Sequence, residues 1–301
     1  MPARMASRTK HKAKQNLVGY LFISPWLIGF AAFTAWPFLR SIYLSFTRYN
    51  IVTEPKWVGG ANYKMLLTQD ELFWKSAWVT VKYAMISVPI AIVVGVALAL
   101  LLNANVRGMT VFRAVFFLPS IVPTVATSVL FIWLLNPNIG LINRLLALVG
   151  INGPSWLNTS PWAFYSLVFM ALWGVGGSMV IYLAGLKDIP LHLYEAATID
   201  GANPLQRLRH ITLPMMTPVI FFNLVMGIIG AFQTFTQAYV ITPNGGPQDS
   251  TYFYSLYLYN RAWKYLDMGY ASAMAWMLFI VIVVLTGLVF RTQKRWVHYG
   301  R

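Results

Sequence analysis

Six stretches of this chain, residues 17–39, 83–102, 114–135, 161–186, 213–240 and 268–290, each run for twenty residues or more without Asp, Glu, Lys, Arg or His. A helix needs ~20 predominantly apolar residues to cross a hydrocarbon core ~30 Å thick, because each residue adds ~1.5 Å of rise. Irregular backbone cannot face lipid, where its amide groups would find no partner. The pattern therefore predicts an all-α, polytopic membrane protein with six transmembrane helices, kinked locally at Pro25, Pro119, Pro123 and Pro218. A composition of 58% hydrophobic and 10% charged residues agrees, since it leaves too little polar surface for a soluble globule.

The first stretch follows a basic segment, but it is longer than a signal-peptide core and has no small-residue cleavage site before Pro37, so it reads as a retained span. Residues 1–16 form a basic tail, 17–290 the membrane domain, and 291–301 a second tail. Residues 38–47 continue a helical pattern beyond the first span, and 57–75 read as an amphipathic piece along the interface. Trp36, Trp133 and Trp162 fall near span ends, where aromatic belts form.

Lys and Arg number 23 against 8 Asp and Glu, a net charge of +15. With both termini cytoplasmic, the inner segments hold 14 cations, from Arg4, Arg8, Lys10, Lys12 and Lys14 through to Arg301, beside Asp188, Glu195 and Asp200. The outer segments hold 7 cations and five carboxylates, with Arg40 and Lys82 at boundaries. This bias places the chain in the cell membrane with both ends inside, and makes most of the positive charge topogenic or lipid-facing, with no nucleic-acid partner.

The same counts exclude function classes. Scarce carboxylates argue against general acid/base catalysis and oxygen-ligand metal sites, and the absence of Cys removes thiolate chemistry. Proton-driven transporters and voltage sensors keep ionisable residues inside the membrane, and these spans have none. The four histidines, at 11, 192, 210 and 298, all fall in the proposed cytoplasmic segments, and no inverted repeat is evident. No Gly-Lys-Ser/Thr phosphate loop occurs, so no cofactor is expected on this chain, and any ATP must be bound by another.

The connection at 187–212 reads KDIPLHLYEAATIDGANPLQRLRHIT. Asp188 can cap, and Pro190 suits the first turn of a helix through about Ile199. Gly201 permits the positive-φ break, and Asn203-Pro204 restarts a helix through about His210. Ala196 and Ala197 are small enough for another backbone to approach closely, and Glu195 can pair with a basic partner. By physics alone this is a compact interfacial element.

The string Glu195-Ala196-Ala197, Asp200-Gly201-Ala202, Ile211-Thr212-Leu213-Pro214 and Pro218 resembles the EAA loop of permease subunits in bacterial ATP-binding-cassette importers, in its carbohydrate-uptake form. Ser24-Pro25-Trp26, Trp57-Val58-Gly59-Gly60-Ala61-Asn62-Tyr63, Leu118-Pro119, Gly140-Leu141-Ile142-Asn143 and Asn244-Gly245-Gly246-Pro247 extend the resemblance over nearly the whole chain. They are similar to the first of two permeases, comparable to the larger maltose-transporter subunit, but without its large outer domain. Val79-Thr80 departs from the Asn-Thr of many relatives. The resemblance implies the transmembrane fold of type-1 importers. It also implies a second, different permease subunit, two ATP-hydrolysing subunits and an extracytoplasmic solute-binding protein. Glu195, Ala196, Ala197, Asp200 and Gly201 are then the residues that couple the ATPase to the spans.

An uncharged path suits an uncharged, hydroxyl-rich solute held by aromatic faces and amides. Phe232, Gln233, Thr234, Phe235, Thr236 and Gln237 form such a run, with Gln233 and Gln237 four apart on one helical face, serving either a sugar or interhelical hydrogen bonds. Trp173 lies near mid-span, and the adjacent Gly174, Gly176, Gly177 and Ser178 either open space for a solute or let helices pack closely. A sugar or polyol is the leading substrate class. Glycerol 3-phosphate is the alternative, though it would want a cation along the path.

Overall fold

The computed structural model describes residues 19–104 and 106–298. The expected basic tail 1–16, with its five cations and His11, lies outside these residues, as does Arg301. The chain folds into two compact units, Met1–Met65 with Arg261–Trp276 and Leu66–Asn260 with Met277–Arg301.

In the first unit, α1 (Gly19–Ser45) presents its apolar side chains outward. Just before Pro37, whose ring would collide with the carbonyl four residues back, the Trp36 N–H donates to Ala31 O instead of one turn up. This π turn lets the helix pass through the proline. Two short strands follow, β1 (Thr47–Arg48) and β2 (Lys56–Trp57), paired antiparallel with Thr47 opposite Trp57. Asn62, in α2 (Ala61–Thr68), donates from Nδ2 to Ser45 O at 2.8 Å and Thr47 O at 3.0 Å, and the Tyr63 hydroxyl donates to Ser45 Oγ. The stretch 57–75, read as an amphipathic piece, is shared by a strand, a short helix and the start of the next helix.

The second unit begins with α3 (Glu71–Leu102), 32 residues long and starting well before the expected span at 83. Asp70 explains the difference. Its Oδ1 accepts the Phe73 N–H at 3.0 Å, capping the helix, and its Oδ2 accepts the Tyr257 hydroxyl. Lys75 pairs with Asp249 at 2.7 Å, so the head of α3 is bound twice to the 249–257 segment.

The third and fourth spans are not single helices. The third consists of α4 (Met109–Ile121) and α5 (Thr124–Leu134), bent by 98°. Pro123 supplies no N–H and pushes Val122 into extended backbone, which ends α4. After α6 (Leu141–Leu148), the fourth consists of α7 (Trp162–Trp173) and α8 (Gly176–Lys187), bent by 46° at Gly174-Val175. Pro25, Pro89 and Pro218, by contrast, lie within helices that continue. The element α9 (Leu191–Ile199) occupies the next connection. A turn at Pro204–Arg207 and a π segment at Leu208–Thr212 then run directly into α10 (Leu213–Phe232). Two short helices, α11 (Thr236–Ile241) and α12 (Tyr254–Tyr259), precede α13 (Met268–Trp296), whose last twenty residues belong to this unit. Among the described residues, four helical runs are therefore long and apolar enough to cross a bilayer unaided, and up to six when each bent pair counts as one span.

The core of the unit joins α3, α8 and α10 through Val96, Ala99, Met179, Tyr182, Leu183 and Met216. Close packing accounts for Gly176: a Cβ there would strike the carbonyl oxygen of Phe116 and come within 3.0 Å of Phe117 Cα, both rigid backbone. Gly177→Ala meets only the Ser120 side chain, Cβ at 3.8 Å and Oγ at 3.9 Å, both ordinary contacts. Gly176→Ala should therefore destabilise the protein by ~1–3 kcal/mol, the usual effect of overpacking, while Gly177→Ala changes little. Thermal unfolding of the two variants in detergent checks this.

Candidate functional site

The second unit contains a cavity of about 400 Å³, walled by α3, the α7–α8 break, α10 and the start of α11. No charged side chain lines it. Its polar groups are Tyr83, Ser87, Ser178, Tyr182, Asn223, Thr234 and Gln237. Ser87, Ser178 and Thr234 donate their hydroxyl protons to the carbonyls of Tyr83, Val175 and Gly230, three or four residues earlier in the chain. Each hydroxyl oxygen thereby keeps acceptor capacity for a solute O–H. Asn223 donates one amide proton to Val219 O, leaving its second donor and its carbonyl. Gln237 makes no side-chain hydrogen bond to another described residue, so its amide is free both to donate and to accept.

A second cavity of about 140 Å³ lies at the α4–α5 break, lined by Ser120, Thr124, Thr127, Trp173 and Gly174. Gln237 and Ala171 line both cavities, which therefore share a wall.

The sequence-nominated residues divide accordingly. Ser178, Thr234 and Gln237 line the larger cavity, and Trp173 the smaller, edge-to-face on Phe131 at 5.9 Å. Gly177 lines neither. Phe232 is buried toward a separate apolar cavity, Gln233 is exposed, and Phe235 stacks on Tyr239 at 5.2 Å and contacts Tyr259 at 4.9 Å. The expectation that Gln233 and Gln237 share a helical face fails because α10 ends at Phe232 and α11 begins only at Thr236. Four polar cavity residues, Tyr83, Ser87, Tyr182 and Asn223, were missed. Asn223 carried a signal, since an amide inside a span is kept for a partner.

The 187–212 connection forms a second candidate surface. Asp188 does not cap α9: it ends α8, and Pro190 precedes α9 without a side-chain cap. The C-terminal end of α9 is built as the sequence suggests. Gly201 sits at φ +76°, its N–H donates to Thr198 O at 3.1 Å, and the Ala202 N–H donates to Ala197 O at 2.8 Å. These two bonds make a Schellman motif, which needs the left-handed residue. Asn203 and Gln206 then cap the next turn reciprocally. That turn does not stop at His210 but continues into α10.

Tyr194 OH bonds Thr212 Oγ1 at 2.9 Å, Arg207 donates to Thr198 Oγ1 at 3.1 Å, and Leu193 packs on the α3–α8–α10 core. The inner side of α9 is thus fastened to the bundle. Glu195, Ala196, Ile199, Asp200 and Gly201 are exposed, Ala197 half-buried, and among the described residues neither Glu195 nor Asp200 forms an ion pair.

An uncharged polar cavity at helix breaks, inside a polytopic helical membrane protein, suits a permease, the membrane conduit of a transport system. The chain belongs to the family of binding-protein-dependent transport system inner membrane components, whose match covers residues 91–298. It is 46% identical over 289 residues to the probable ABC transporter permease protein YesP of Bacillus subtilis, covering 95% of this chain and 93% of the relative. The trehalose/maltose transport system permease protein MalF of Thermococcus litoralis is 34% identical over 280 residues, covering 92% of this chain and 94% of the relative. The fold matches a chain of a bacterial ABC transporter involved in the import of the acidic polysaccharide alginate. Its TM-score is 0.83 at 23% identity, covering 96% of this chain and 99% of that one. A second structure of the alginate transporter, in complex with a periplasmic protein bound to alginate pentasaccharide, matches at TM-score 0.82 and 22% identity, with coverage of 95% and 96%.

Proposed function

We propose that this permease forms half of the pathway by which an oligosaccharide or polyol enters the cell, delivered by an extracytoplasmic binding protein and driven by ATP hydrolysed, with Mg2+, on two partner subunits. A second, different permease would complete the path. The observation that carries the substrate class is the charge-free cavity, whose hydroxyl and amide groups offer acceptors and paired donor–acceptors suited to sugar hydroxyls. The curated permease of Thermococcus litoralis, named for trehalose and maltose, supports it. A phosphorylated solute such as glycerol 3-phosphate would want a cation, and no Lys or Arg lines either cavity.

In this reading both termini lie in the cytoplasm, with the 187–212 loop on the same side. The exposed side of α9, with Glu195, Ala196, Ala197, Asp200 and Gly201, seats in the ATPase. Because Tyr194, Leu193 and Arg207 fasten α9 to the bundle, closure of the ATPase would move α8 and α10 with it.

The test is copurification of the tagged chain, followed by ATPase measurement of the reconstituted assembly with its binding protein and a panel of sugars, polyols and glycerol 3-phosphate. Stimulation by a sugar or polyol is expected. Isolation as a lone transporter without an ATPase, or stimulation by the phosphorylated solute alone, overturns the reading.

A further inference from the structure

From residue 114 to 186 the chain carries a single charged side chain, Arg144, and no carboxylate. Most of that length belongs to the third and fourth spans, but the connection between Leu135 and Trp162 does not, and a connection bathed in water is ordinarily rich in charge. Its centre is the helix α6.

One side of α6 is fixed to the protein. Ile142 packs on the buried cluster of Phe131, Leu135 and Met170. Asn143 donates from Nδ2 to the carbonyls of Pro137 at 3.0 Å and Pro154 at 3.3 Å, and accepts the Trp156 indole N–H at 2.6 Å. With 3.6 residues per turn, these positions and Leu146 define the inner face. The opposite face bears Leu141, Leu145 and Leu148, exposed by 45%, 52% and 82%, and leads into exposed Val149 and Ile151. Arg144 and Ala147 lie together on one flank. A continuous apolar face of this kind on an exposed helix marks a surface made for something apolar. Trp162 and Tyr165, both half-exposed at the head of α7, supply at the same end of the span the aromatic side chains that settle at membrane interfaces.

We propose that α6 is an interfacial helix lying in the lipid headgroup layer, with Leu145 and Leu148 sunk into the acyl boundary and Arg144 beside a lipid phosphate. Lipid suits this face: the surroundings are a bilayer already, the charge is one cation with no carboxylate, and the helix is amphipathic around that cation. The anchor has a structural consequence, because α5, which leads into this connection, packs against α11, the helix that carries Gln237. Lipid contact at α6 would hold the outer arm of the bent third span beside the cavity.

The chain contains no cysteine, so single cysteines can be introduced as L145C, L148C and A147C and labelled with bimane. The labelled chain, assembled with cysteine-free partner subunits, is reconstituted in vesicles of phosphatidylethanolamine and phosphatidylglycerol containing a doxyl phospholipid. An interfacial helix sinks its apolar face roughly 5–10 Å, so lipid quenching at 145 and 148 should be about twofold or more above that at 147, with aqueous iodide giving the reverse order. Iodide reaching all three positions alike means a water-exposed helix, and labels at 145 and 148 shielded from both quenchers mean a protein-covered one. Either result overturns the proposal.

Discussion

Gly201→Val should leave the protein inserted in the membrane and lower ATP-driven uptake by about tenfold or more, the factor that ~1.4 kcal/mol of lost coupling represents. Gly201 holds φ +76° with open space around the position a Cβ would take, so valine meets no neighbour. The penalty is purely conformational: a left-handed L-residue costs ~1–2 kcal/mol, and a β-branched one sits at the upper end. To relieve it the chain must leave α9 by another route, which breaks the bonds from Gly201 to Thr198 and from Ala202 to Ala197. If α9 couples an ATPase to the spans as proposed, turning its far end away from the anchors at Thr212 and Arg207 would cut that closure off from α8 and α10. Asn tolerates the left-handed region, so Gly201→Asn should retain most uptake. Uptake and ATPase rates of reconstituted assemblies at matched expression separate the two variants. Equal, normal uptake by both would remove this loop from coupling.

The contrast between α9 and the spans shows what was legible in the sequence. The end of α9 was readable because Gly201 and Asn203-Pro204 are local signals with local physics, and the observed motif uses both. The helical, membrane-spanning class was readable, since a run of twenty uncharged residues has few alternatives, but the straightness of the helices was not. A helix apolar on every side has no periodic stripe to interrupt, so nothing in the 161–186 pattern announced its bend of 46°, while in 114–135 the prolines marked a kink but not its size of 98°. Pro119 and Pro123 were read as kinks, yet the break depends on Val122 moving to extended backbone, while Pro89 and Pro218 sit in continuous helices. Whether a proline bends or breaks a span is decided by the neighbours that re-satisfy its backbone, which the local sequence does not contain.

The same limit governed the cavity. Pairing Gln233 with Gln237 assumed an unbroken helix, and the break at 233–235 turns one outward and the other inward. It also gives the residue-level expectation a sharp form. Gln237 lines both cavities and has no side-chain partner among the described residues, and Asn223 has donor and acceptor capacity to spare on the facing helix. If a sugar passes here, Gln237→Leu leaves a solute hydroxyl unpaired, a loss of ~1–3 kcal/mol that corresponds to about 5- to 150-fold in transport. Asn223→Leu should act in the same direction. Gln233→Leu, on an exposed side chain, should change transport less than about twofold, the range of ordinary surface substitutions. Trp173→Ala should fall between them, because it opens only the smaller cavity. Initial uptake rates against solute concentration, with basal ATPase and membrane abundance held as references, distinguish these cases. If Gln233→Leu and Gln237→Leu prove equivalent, the solute does not travel along this cavity.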